Sequence, residues 1–113
     1  MKPRLAPLAQ GLFYVASGLW PIVHLRSFEA VTGPKRDKWL VQATGALIGA
    51  VGAALCAGAF ERRSRALAVL GVGSATALGL ADVWFTAKRQ IPPVYLGDAA
   101  VEAAAIGTWI VSP

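Results

Sequence analysis

Three carboxylates, Asp82, Asp98 and Glu102, stand inside tracts that are otherwise apolar. Asp82 has Ala81 and Val83 beside it, with Trp84 and Phe85 following. Asp98 and Glu102 are four residues apart and stack on one helix face, where like charges disfavour joint ionisation. Near the middle of a bilayer an ionisable side chain costs about 2.5–3.5 kcal/mol, so three amount to roughly 7–10 kcal/mol unless partnered. Placed together with aromatic walls, such groups can do general acid–base work or can hold an amine. His24, the only histidine, is a candidate proton carrier because its charge changes near physiological pH. Each of these residues also has a plainer explanation. Asp82 could pair with Arg26, Lys88 or Arg89. Asp98 could sit in the first turn of a helix that begins at Gly97, where the helix dipole favours it. His24 could face headgroups beside Arg26.

Several chemistries are excluded. Carboxylate-bridged di-iron bundles need Glu-x-x-His on two helices, and the chain has one histidine and no such motif. Structural zinc lacks ligands, so no metal and no cofactor is expected. The single Cys56 removes thiol–disulfide chemistry, which needs a pair. No nucleophile elbow, phosphate loop or dinucleotide fingerprint occurs. The net charge of +5 is explained by basic residues flanking apolar segments, and no nucleic-acid partner is expected.

The elements that position the carboxylates follow from composition. Hydrophobic residues make up 56% of the chain and charged residues 15%, against about 45–50% and about 25% in soluble domains. Mean hydropathy is +0.55. Charges gather at residues 2–4, 26–38, 61–65 and 88–89 and leave four tracts near the length a spanning helix requires. The expected fold is therefore all-α: a polytopic membrane protein of one domain, with four transmembrane helices in an up-and-down antiparallel bundle. Its spans are expected at about 5–25, 39–60, 66–87 and 93–112. The basic start with its apolar run reads as the first span and not as a removed leader. Five basic residues fall on the side of both termini and six on the other, which sets no orientation.

Each span carries a stripe of polar or small residues at helical spacing. The first has Gln10, Tyr14, Ser17, Pro21 and His24. The second has Gln42, Gly45, Gly49, Gly52 and Cys56. The third has Gly71, Ala75, Gly79, Asp82 and Thr86, and the fourth has Asp98, Glu102, Ala105 and Trp109. Small residues allow the close backbone approach that drives helix association in lipid. Gly45 and Gly49 form a GxxxG pair that packs inside the bundle or supports a homodimer. Pro21 frees the carbonyl of Ser17 inside the stripe. Because of the alternating span directions, His24, Gln42, Asp82, Asp98 and Glu102 share one half of the bundle, with Tyr14 and Ser17 deeper. Trp20 and Trp84 lie inside their spans as candidate pocket walls, while Trp39 and Trp109 suit the aromatic belt.

These placements predict an integral membrane protein of the cell membrane. Its polar pocket would bind a small molecule or lipid, and proton-transfer chemistry there would make it an enzyme. A proton-coupled transporter and an accessory subunit are the alternatives. The outline is similar to the small multidrug resistance exporters in length and span number alone. That likeness would imply a glutamate in the first span, which has no acid.

Overall fold

The computed structural model describes residues 2–111, and all regular structure among them is helical. Five helices follow one another: α1 (Leu5–Val23), α2 (Leu25–Thr32), α3 (Lys38–Gly58), α4 (Arg65–Ala87) and α5 (Tyr95–Val111). Of these, α1, α3 and α4 are long and apolar enough to cross a membrane. Their ends agree with the expected spans to within a turn. The expected fourth span corresponds to α5, and its last residue, 112, lies outside the described residues.

The loop expected at 26–38 contains α2, a helix that the charge count concealed. Pro21 has no N–H for the carbonyl of Ser17, and α1 stops at Val23. His24 breaks the chain with φ −149° and ψ 80°, and its Nδ1 accepts from the Ser27 N–H at 3.2 Å, so it caps α2. The indole of Trp20 donates to Ser27 Oγ at 2.8 Å and meets Phe28 edge-on, centroids 5.3 Å apart. This corner turns α2 away from the axis of α1. Gly33 ends α2 at φ 95°, a conformation that favours glycine, and a Cβ there would also press on Pro92 at 3.0 Å.

The other ends are closed by local bonds. Arg4 donates from its backbone N–H to Ala59 O and from Nη2 to Gly58 O, both at 2.9 Å, and so puts a cation at the C-terminus of α3. Ser64 caps α4 by accepting from the Leu67 N–H at 3.2 Å. Arg89 takes φ 61° after α4, and Gln90 N–H reaches back to Phe85 O at 2.9 Å, a Schellman closure. Pro92 and Pro93 then lead into α5.

The helices associate as two pairs. α1 lies on α3 with glycine against glycine: a Cβ on Gly18 would come within 2.5 Å of Gly45 O and 2.6 Å of Gly49 N. Two turns away, a Cβ on Gly52 would come within 2.7 Å of Gly11 O. Gly45 and Gly49 are thus buried against α1 within a single chain. α4 lies on α5, where Gly71 receives the ring of Trp109. The two pairs meet across a more open seam.

Gly18→Ala should lower stability by about 1–3 kcal/mol, the usual range for overpacking, since backbone on both helices must move. Gly73→Ala, at a site with open space, should be neutral or slightly stabilising. Thermal unfolding in non-ionic detergent compares the two, and equal midpoints would refute the glycine interlock.

Candidate functional site

The seam between the pairs holds a cavity of about 580 Å³. Its deep end is polar, with Tyr14 and Ser17 from α1, Asp82 from α4, and Asp98 and Glu102 from α5. Val41, Ile48, Leu78 and Phe85 supply apolar wall. Phe28, Lys35 and Tyr95 stand at the end nearest α2. There the Lys35 ammonium donates to Thr32 O at 2.8 Å and lies 5.0 Å from the centroid of Tyr95 and 5.9 Å from that of Phe28. The Lys35 N–H donates to Glu29 Oε2 at 2.7 Å, which holds that carboxyl below its usual range, and Lys38 pairs with Glu29 at 3.2 Å.

The carboxylates are not equivalent. Glu102, 1% exposed, accepts from the Tyr14 hydroxyl at 2.5 Å. Asp82 is 6% exposed, and its Oδ2 has no hydrogen-bond partner among the described residues. Its carboxyl is nevertheless hydrogen-bonded to that of Asp98, and Glu102 adjoins the pair. The alternative of an ion pair for Asp82 fails: Lys88 sits over the ring of Trp84 at 4.9 Å, and neither Arg26 nor Arg89 bridges to it. Asp98 is half-buried in the first turn of α5, so the dipole accounts for part of its placement. That helix begins at Tyr95 and not at Gly97. Among the described residues no three His, Cys, Asp or Glu side chains converge closely enough to hold a metal ion.

Not every residue singled out in the sequence reaches the cavity. Tyr14, Ser17, Asp82, Asp98 and Glu102 do. His24 is exposed at the α1–α2 corner, bonded to Ser27. The stripe that it seemed to continue ends with the helix at Val23. Gln42 is half-buried and donates to Pro21 O at 3.2 Å, tying α3 to the end of α1. Trp20 braces the corner, and Trp84 is 59% exposed on the outer face of α4.

Two residues outside the expected pocket matter more than their sequence positions suggest. Trp109 is 5% exposed and not a belt residue; its indole donates to Gln10 Oε1 at 2.6 Å. Gln10 in turn donates from Nε2 to Gly71 O at 2.8 Å. A Cβ at Gly71 would fall 2.5 Å from the Trp109 ring, so glycine is what admits the indole. The Gln10 signal was present, since it heads the polar stripe of the first span. Its partner on another helix could not be read from one chain segment.

This arrangement joins three carboxyl groups into one cluster, with Asp98 hydrogen-bonded to both Asp82 and Glu102. Comparison with protein-family models, with curated proteins and with solved structures finds no match to this chain.

Gln10→Leu strands both the Trp109 N–H and Gly71 O, and should cost about 1–3 kcal/mol. Paired with Trp109→Phe in a double-mutant cycle, it should show a coupling near the average of about 0.6 kcal/mol for interhelical bonds in membranes and no more than about 1.7 kcal/mol. Additive losses would mean that the bond contributes nothing.

Proposed function

We propose that the chain is a four-span integral membrane protein whose seam cavity binds a small amphiphile, either a small molecule or a lipid. Three helices have the length and apolarity of spans. At 1.5 Å per residue the 17 residues of α5 extend about 26 Å, within the range of short spanning helices. The long dimension is 42 Å, against about 40–45 Å for a bilayer with its headgroups. Leu47, Val69 and Leu80 are each 66% exposed and Ile110 77%, a distribution suited to lipid and poorly suited to water.

The observation that carries the binding reading is a cavity with mostly apolar walls that is lined by the carboxyl groups of Asp82, Asp98 and Glu102, with no cation of the described residues paired to Asp82. A cavity of this volume falls in the range of ligand sites, about 300–1,000 Å³. The accessory-subunit alternative gains no support, since Asp82 and Glu102 are both buried within the chain. Proton-coupled transport has one observation in its favour. A smaller cavity of about 170 Å³ lies beyond the Tyr14–Glu102 bond, and these two residues line both spaces.

Two measurements test the reading. In a Cys56→Ser background, cysteines at Ser64 and Val111 should react with an impermeant maleimide from the same side of sealed vesicles, and a cysteine at Gln90 from the other. Labelling of Val111 with Gln90 would mean that α5 does not cross. Native mass spectrometry from non-ionic detergent should show a bound amphiphile on the wild type, lost in Leu78→Trp, which fills the cavity. Equal adducts on a folded Leu78→Trp would sink the pocket.

A further inference from the structure

We infer that the occupant of the cavity is a phospholipid of the surrounding bilayer, which enters sideways between α3 and α4 with its phosphate at Lys35 and one acyl chain along Ile48, Leu78 and Phe85. The inference rests on the cavity being a binding site within a membrane, and it names the class of ligand and its route.

The route follows from where the helices part. α3 and α4 touch at their connected ends, where Leu67 lies against Gly58. Towards their other ends the cavity lies between them. Of the residues that line it, the exposed ones all stand on these two helices: Leu40 and Thr44 on α3 and Phe85 on α4. The lining residues of α1, α2 and α5 are buried or half-buried. Lys35 closes the end nearest α2, bonded to Thr32 O and set over the rings of Phe28 and Tyr95. The opening therefore faces the side of the bundle and not its aqueous end.

A phospholipid fits that opening in shape and in charge. An unfilled apolar space forfeits the contacts its lining could make, and what adjoins a sideways opening in a bilayer is acyl chain. From Leu40 to Ile48 the α3 wall runs about 12 Å, against about 15 Å for the hydrocarbon of one leaflet. The acids offer no rival site, because Asp98 bonds to both Asp82 and Glu102, which are themselves buried. Lys35 stands at the end of the cavity where headgroups lie, and Glu29 beside it is paired with Lys38. The Lys35 ammonium has three N–H donors and spends one on Thr32 O. A phosphate is the acceptor that a lipid brings to that depth, and such charge-assisted bonds are the strong ones.

The test maps photolabels by peptide mass spectrometry on the full chain in phosphatidylcholine vesicles. Three diazirine probes are used. Two are a phosphatidylcholine and a diacylglycerol labelled in the same acyl chain, and the third is a charged, membrane-impermeant molecule present on both sides. Labelling of Ile48 on the cavity wall is read against that of Leu47, which is exposed on the outside. The phosphatidylcholine should label Ile48 about tenfold more than the diacylglycerol does, the size of one charge-assisted hydrogen bond. Lys35→Gln should remove that preference. The impermeant probe should leave Ile48 unlabelled, and Leu78→Trp should abolish the lipid label at Ile48 while sparing Leu47. If the impermeant probe labels Ile48, the pocket stands but opens to water, and the lipid assignment falls. If the two lipids label Ile48 equally, the phosphate at Lys35 falls. A label at Ile48 unchanged in folded Leu78→Trp comes from outside the cavity and overturns the inference. If no probe reaches Ile48 while Leu47 is labelled, nothing enters, and the pocket reading fails with it. Should Leu78→Trp not fold, the comparison of the three probes on the wild type decides alone.

Discussion

In hydrocarbon, the setting proposed above for these helices, there is no hydrophobic drive between them, and apolar contact across the seam would not by itself hold the two helix pairs together. Three buried hydrogen bonds cross that gap: Tyr14 to Glu102, Trp109 to Gln10, and Gln10 to Gly71 O. Each has one end on α1. An adjoining face of the same helix carries Gly11 and Gly18, which meet the glycines of α3. α1 is therefore the hub of the bundle. One of its faces works by close backbone approach and the other by polar bonding. Because α3 and α4 touch little, loss of the polar face would leave two separate hairpins.

That division explains where the cavity lies. Glycine-on-glycine packing brings backbones so near that no space survives between α1 and α3. Trp109 seated on Gly71 fills the space between α4 and α5 towards the chain termini. The 580 Å³ cavity lies in the seam, on the side where α1 stops just after Pro21 and α2 begins. Pro21 thus acts on the site without offering a functional group to it. It ends a helix that would otherwise continue, and α2 with Lys35 comes over the cavity instead of more of α1.

Much of this was legible in the sequence, for a physical reason. A spanning segment must be long and apolar, so charge runs marked three helices to within a turn, and helical spacing put Gln10, Tyr14 and Pro21 on one face, where they are buried. The failures have equally definite causes. His24 continued the spacing only while the helix lasted, and Pro21 ended the helix first. α2 is eight residues inside a charged stretch, where periodicity is too short to separate helix from loop. Trp84 could have been set aside from spacing alone: two residues from Asp82 it is turned roughly 200° around the helix, and both cannot face one cavity. Trp109 could not have been resolved this way. An aromatic near the end of a span suits the interface as well as the core, and the choice depended on a missing Cβ at Gly71, one helix away.

The three carboxyl groups are held in three different ways. Glu102 has the donor that a buried acid needs, and through Tyr14 it joins the framework that holds the pairs together. Asp98 draws on a helix dipole and partial exposure. Asp82 has neither, and its carboxyl bonds to that of Asp98, one acid against another. Glu102 is thus tied to the scaffold through Tyr14 on another helix pair, whereas Asp82 is tied to another acid.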